Sequence, residues 1–188
     1  IEGAEDNFYF KEYDLEIEVS LNQAGFPVYS PSEKTSPLLA DLDNDGSSEI
    51  IIADKNGMVH IYNLDGSEHI DDHFPFDTGD QVFGAVASED LDRDGLVDFV
   101  VASKSKHLLV FDKNGLKTDY NAESWLIGTP SIGNIDSDAD YEIVVTGFTS
   151  SRRLLYVINS DGTDVPGFPL DLNERMYIGA ALADFNAN

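Results

Sequence analysis

Three segments of the chain carry the same acidic loop followed by the same apolar run. Residues 41–54 read DLDNDGSSEIIIAD, residues 90–103 read DLDRDGLVDFVVAS and residues 134–147 read NIDSDADYEIVVTG. A fourth copy opens at Asp184 as DFNAN. The first positions, 41, 90, 134 and 184, are 49, 44 and 50 residues apart. A period of this size marks a chain of stacked supersecondary units, each too small to bury its apolar face alone.

The remainder of each unit repeats too. A stretch of small residues precedes each loop: SPLLA (36–40), GAVASE (84–89), TPSIG (129–133) and IGAALA (178–183). Apolar runs such as MVHIYN (58–63), HLLVFD (107–112) and LLYVIN (154–159) follow, near Asn-Gly or Asp-Gly turns. Gly25-Phe26-Pro27, Phe74-Pro75 and Gly167-Phe168-Pro169 add a recurring aromatic–proline element. Runs of this length, rich in Val, Ile, Tyr and Phe and bounded by such turns, are strands and hairpins. No window sustains helical spacing. The expectation is an all-β fold of β-propeller blades, each of four antiparallel strands. The expected division is a lead-in over 1–35, blade units over 36–83, 84–128 and 129–177, and the start of a fourth over 178–188. A seven-bladed ring of such units needs about 336 residues, so the chain reads as part of a larger propeller. The alternative is a four-bladed ring closed by strands from residues 8–30.

The loops carry the chemistry. Carboxylates stand at positions 1, 3, 5 and 9: Asp41, Asp43, Asp45 and Glu49 in the first, Asp90, Asp92, Asp94 and Asp98 in the second. Four bare carboxylates within nine residues repel one another, and a hard divalent cation resolves that cost. Calcium accepts six to eight oxygens at about 2.3–2.6 Å in irregular geometry. Glycine at position 6, Gly46 and Gly95, permits the positive φ of a curled loop. Position 7, occupied by Ser47, Leu96 and Asp140, can offer a backbone carbonyl whatever its side chain. An EF-hand is excluded, because position 12 is Ile52 or Val101 rather than a bidentate Glu. Magnesium fits less well, and transition metals would call for His or Cys. The third loop departs from the pattern, with Asn134, Asp136, Asp138 and Glu142 as ligands and Ala139 at position 6. A side chain there strains a positive φ. The fourth offers Asp184, Asn186 and Asn188. The expectation is two strong calcium sites, a weaker third and an incomplete fourth.

Composition narrows the partners. The formal net charge is −25, with 36 acidic and 11 basic residues. Nucleic acid is excluded as the default partner, because a phosphate backbone needs a basic face. No apolar run is long enough for a membrane span. There is no cysteine, which removes disulfides, zinc–thiolate sites and cysteine nucleophiles. No Gly-x-Ser-x-Gly elbow, P-loop or dinucleotide fingerprint is present. His69 to His73, in HIDDH, could hold a metal but reads first as a solvated loop. Arg152-Arg153 reads as a turn cap. Trp125 with Tyr120 could stack a sugar, though blade packing explains both.

At these residues the chain resembles the FG-GAP or VCBS-type repeats of integrin-like β-propellers. The carriers are D-x-D-x-D-G-x-x-[DE] before an apolar strand, the small-residue strand ahead of it, and Gly-Phe-Pro. Val82-Phe83-Gly84-Ala85 fits the start of the name motif. The resemblance covers about residues 24–188. It implies calcium in a hairpin loop of each blade, an extracellular or cell-surface setting, and adhesion or recognition. On it rests the expectation of a non-catalytic module that binds a protein or carbohydrate ligand and pairs with further blades or another chain. The alternative is the propeller portion of a secreted polysaccharide lyase or hydrolase.

Overall fold

The computed structural model describes residues 22–29, 32, 35–136 and 138–183. These residues contain strands and no helix. The first sheet is β1 (Leu38–Ala40), β2 (Glu49–Ala53), β3 (Met58–Tyr62) and β4 (Phe76–Asp77), in that order. The second is β5 (Ala87–Glu89), β6 (Asp98–Ala102), β7 (His107–Asp112) and β8 (Gly115–Asn121). The third contains β9 (Trp125–Leu126), β10 (Ser131–Gly133), β11 (Glu142–Phe148), β12 (Arg153–Asn159) and β13 (Leu170–Asp171). All neighbours are antiparallel.

Each sheet begins with a broken inner strand. In the third, β9 pairs with Gly147 and Phe148, and β10 with Glu142 to Val144, along one edge of β11. In the second, Val82 bridges Ser103 before β5 pairs with β6. In the first, the Thr35 N–H bonds the Ala53 carbonyl ahead of β1. The third sheet thus reaches back to Trp125, into the span that the sequence assigned to the second unit. Small residues mark only the second half of each inner strand, so the first half has no sequence signature.

Turn chemistry closes the hairpins. The Asp54 carboxylate accepts the Asn56 and Met58 N–H groups, and Gly57 has a φ of 88°. In the second sheet Ser103 turns β6 into β7, and Asn114-Gly115 turns β7 directly into β8. The first and third sheets reach their outer strands through longer connections carrying Asp65-Gly66 and Asp161-Gly162. The peptide bonds Phe26-Pro27, Phe74-Pro75 and Phe168-Pro169 are all cis.

Period-two alternation builds the core. Phe99 and Val101 of β6 pack toward the first sheet, with Ile51, Val59, Phe74 and Phe111. Val100 and Ala102 pack toward the third, with Leu126, Ile143, Val145 and Ile158. The middle strand is therefore buried on both faces and reads as a continuous apolar run. Phe99 and Phe111 stack at 5.1 Å between centroids. Each such ring contributes about 1.5–3 kcal/mol by leaving water. A third cluster, with Val144, Val157 and Val165, lies on the far face of the third sheet.

Candidate metal centres

Each acidic loop joins the inner strand of a sheet to the next strand. The acid at position 9 is the first residue of that next strand: Glu49 of β2, Asp98 of β6 and Glu142 of β11. In every copy its carboxylate turns back and accepts the backbone N–H at position 2. Glu49 takes that of Leu42 at 2.9 Å, Asp98 that of Leu91 at 3.0 Å, and Glu142 that of Ile135 at 2.5 Å. The position 2 side chains Leu42 and Leu91 are buried in the core, so packing fixes the loop from beneath. Asp41 accepts the Asp45 and Gly46 N–H groups, and Asp90 that of Gly95. Gly46 and Gly95 take φ values of 90° and 91°, the curl that glycine at position 6 permits.

This folding gathers the acids. Oxygens of Asp41, Asp43 and Asp45 lie within 4.8 Å of one another, as do those of Asp90, Asp92 and Asp94, and those of Asp136, Asp138 and Glu142. Among the described residues, position 9 joins such a group only in the third loop. Glu49 and Asp98 remain on the loop's backbone clamp. Ser47, Leu96 and Asp140 donate their N–H groups to the carboxylates of Asp45, Asp94 and Asp138, each two residues back. Asp184, Asn186 and Asn188 lie outside the described residues.

The three cages differ. In the third, Ala139 is not among the residues of positive φ, so the strain expected at position 6 does not arise. Asn134 donates its side-chain amide to the Asp138 carbonyl instead of accepting loop N–H groups. Glu142 is fully buried, and its Oε1 has no hydrogen-bond partner. Asp90 Oδ1 in the second loop is also enclosed without a partner. The second loop holds a further group that loop spacing could not disclose. Lys117 Nζ lies 2.8 Å from Asp92 Oδ2, 2.8 Å from Asp98 Oδ1 and 3.8 Å from Asp94 Oδ2. Burial opposes the charge on Lys117, but hydrogen bonds and attraction from Asp92 and Asp98 outweigh it and hold the ammonium above the usual lysine range. The hydrogen bond from Lys117 draws Asp92 below the carboxylate range. Burial pushes Asp98 up, against the same lysine.

The loops form a row. Asn44 donates to the Gly95 carbonyl at 2.7 Å, linking the first to the second. Arg93 lies over the Tyr141 ring at 5.2 Å, linking the second to the third. Asn44 and Arg93 both adopt a φ of 59°.

The remaining sequence candidates are engaged elsewhere. Asp71 accepts the His73 and Phe74 N–H groups, which lower it to about 2, and the His69 ring pairs with it at 3.2 Å. No metal-type cluster forms in that segment among the described residues. His60 pairs with Glu68, and His107 with Asp119. Arg153 donates to the Thr149 and Arg152 carbonyls, and Arg152 pairs with Asp171. Tyr120 meets Tyr156 edge-on and donates to Asp164. Trp125 packs instead against Phe148, which packs against Tyr177. With Phe83, Ile127 and Lys104 these rings line a cavity of about 610 Å³.

Comparison with known proteins bears on the loops and on the sheets separately. Residues 41–101, from the first acidic loop through the second and into β6, match the FG-GAP-like repeat family. No curated protein matches the chain in sequence. A crystal structure of BBS1N in complex with ARL6DN, soaked with lead, is similar to 82% of this chain at 16% identity and a TM-score of 0.53. A mercury-soaked crystal of the same complex matches 76% of it at 19% identity and a TM-score of 0.49. The chain spans 44% of the length of each. The lead-soaked structure shows the fold: the three sheets are blades of a β-propeller.

Proposed function

From an FG-GAP-type repeat protein built of propeller blades, we propose a calcium-stabilised, non-catalytic recognition module that works outside the cell. The observation that carries this reading is the gathering of three carboxylates within 4.8 Å in each of three loops at corresponding places in the sheets. Like charges held that close favour a bound cation. Carboxylate and carbonyl oxygens at irregular angles suit calcium better than the stricter octahedron of magnesium. The fully buried Glu142, one of whose oxygens is unpartnered and which gathers with Asp136 and Asp138, fits an additional ligand in the third loop. Millimolar calcium outside cells matches the modest affinity of extracellular calcium modules.

The ion's role here is structural. It would bridge residues of one loop and fix the path between the inner strand and its neighbour. The partner is a protein or carbohydrate ligand, and the cavity beside Trp125, Phe148 and Tyr177 supplies aromatic faces for it. Its lining sets Gln81, Lys104 and the Tyr177 hydroxyl among aromatic and aliphatic faces, a mix suited to holding a ligand.

Calcium that binds only the folded state stabilises it by mass action, about 2.7 kcal/mol for one site at a hundredfold excess over Kd. The melting temperature is therefore expected to rise between chelator and millimolar calcium, and to rise less with magnesium. Equal melting temperatures in calcium and chelator would overturn the reading.

A further inference from the structure

We propose that Lys117 is a built-in cation of the second acidic loop, which closes that loop without a divalent ion and sets it apart from the first and third. The inference rests on the calcium reading of the other two loops. Lys117 Nζ is within hydrogen-bond distance of Asp92 and Asp98, and Asp98 is 1% exposed. A calcium ion bound to the same oxygens would sit about 2.3–2.6 Å from them, in the space that the ammonium fills. Ion and lysine exclude each other there.

Strand irregularity explains why, of the three described loops, the second has such a residue. In the β7–β8 pair, Phe111 faces Leu116 and Val110 faces Thr118, which leaves Lys117 unpaired in a bulge. A bulge of this kind re-aims the extra side chain. The tight Asn114-Gly115 turn starts β8 beside the acidic loop, within reach of a lysine stem. In the other sheets the residues corresponding to Leu116 are Glu68 and Asp164, which bridge Tyr62 and Ile158. Their successors are His69, whose ring is held by Asp71, and Val165, which is buried. Among the described residues, no lysine or arginine ion-pairs with Asp41, Asp43 or Asp45, or with Asp136, Asp138 or Glu142.

Calcium titration calorimetry on the wild type and Lys117→Met is the test, since methionine retains the apolar stem. The variant is expected to bind one more calcium per chain. It should melt several degrees lower than the wild type in chelator and recover in calcium. Equal stoichiometry with an unchanged melting temperature in chelator would overturn the proposal. If neither protein responds to calcium but Lys117→Met still melts lower in chelator, the calcium reading has failed while the lysine's pairing stands. Should the variant not fold, lysine acetylation of the wild type followed by peptide mass spectrometry decides. Lys117 is expected to label more slowly than the exposed Lys113, in chelator and in millimolar calcium alike. Labelling of Lys117 as fast as Lys113 in calcium would mean that the ion expels it, and would overturn the proposal.

Discussion

Glu142 holds a backbone clamp with one carboxylate oxygen and buries the other. Its Oε2 clamps the Ile135 N–H, while Oε1 is buried without a partner. An unsatisfied buried polar atom costs about 1–3 kcal/mol, and the nearby carboxylates of Asp136 and Asp138 add repulsion. Glutamine has the same shape, can keep the clamp with its carbonyl oxygen, and removes one negative charge from beside Asp136 and Asp138. Glu142→Gln should therefore melt at or above the wild type in chelator, by a gain on the order of 1 kcal/mol. In calcium it should show a smaller rise than the wild type. Thermal melts in both buffers check this, and equal destabilisation in both would make Glu142 purely a structural clamp. Much at this scale was legible in the chain. Asp-x-Asp-x-Asp-Gly announced the gathered acids and the positive φ of Gly46 and Gly95. Lys117 was not legible, because its place depends on a bulge and on a contact spanning 19 residues. The burial of Glu142 Oε1 was not legible either, since position 9 looks alike in all three loops.

The inner strands are held to one another by backbone that lacks side chains. A Cβ on Gly84 would stand 2.5 Å from the Gly128 carbonyl oxygen. One on Gly128 would meet the Ile178 oxygen at 3.0 Å, and one on Gly179 the Thr129 oxygen at 2.4 Å. These glycines follow one another from unit to unit, so the small-residue stretches carry contacts between successive inner segments. Hydrogen bonds reinforce them: the Ala85 N–H donates to Thr129 Oγ1, and the Ser131 hydroxyl to the Ala180 carbonyl. Gly84→Ala pushes a methyl group into backbone, which cannot swing away as a side chain can. It should cost about 1–3 kcal/mol, as overpacking does. Gly133→Ala should cost less, because the atom it meets at 3.0 Å is the Leu182 Cδ1 methyl. Urea unfolding of both variants tests this, and a Gly133 penalty as large as that of Gly84 would refute it. The repeated small residues were readable as strands ahead of the first three loops, where β1, β5 and β10 form, while 178–183 carries no strand. Their contact with the next unit was not, because Gly84 and Gly128 meet across 44 residues with no local pattern linking them.

Across the whole molecule, the repeat sets three acidic cages side by side. Asn44 joins the first to the second and Arg93 joins the second to the third. Among the described residues, the second alone has a lysine paired with its carboxylates, so the uncompensated repulsion lies mainly in the first and third. The formal net charge of −25 adds a diffuse self-repulsion that opposes the compact state. Mobile ions screen this repulsion over about 10 Å at ~0.1 M salt and about 3 Å at ~1 M, distances on the scale of one loop and its neighbour. Under the calcium proposal, bound ions would act on the same repulsion at specific points. The two should therefore substitute for each other in part. In chelator, the melting temperature should climb as sodium chloride is raised from about 0.01 M to about 1 M. In saturating calcium the same salt series should give a shallower climb, because the most closely spaced charges are already neutralised. Acid-driven stabilisation is not expected to mimic this, since lowering the pH also removes the charge on Asp71 that holds the His73 and Phe74 N–H groups. With its carboxyl lowered to about 2, that contribution is present above the unfolded carboxylate range, about 3.9, and is lost as pH falls toward 2. Melting curves over salt at fixed pH, with and without calcium, separate these effects. Parallel slopes in the two series would show that the cages contribute nothing to the charge strain, and that the repulsion lies elsewhere on the surface.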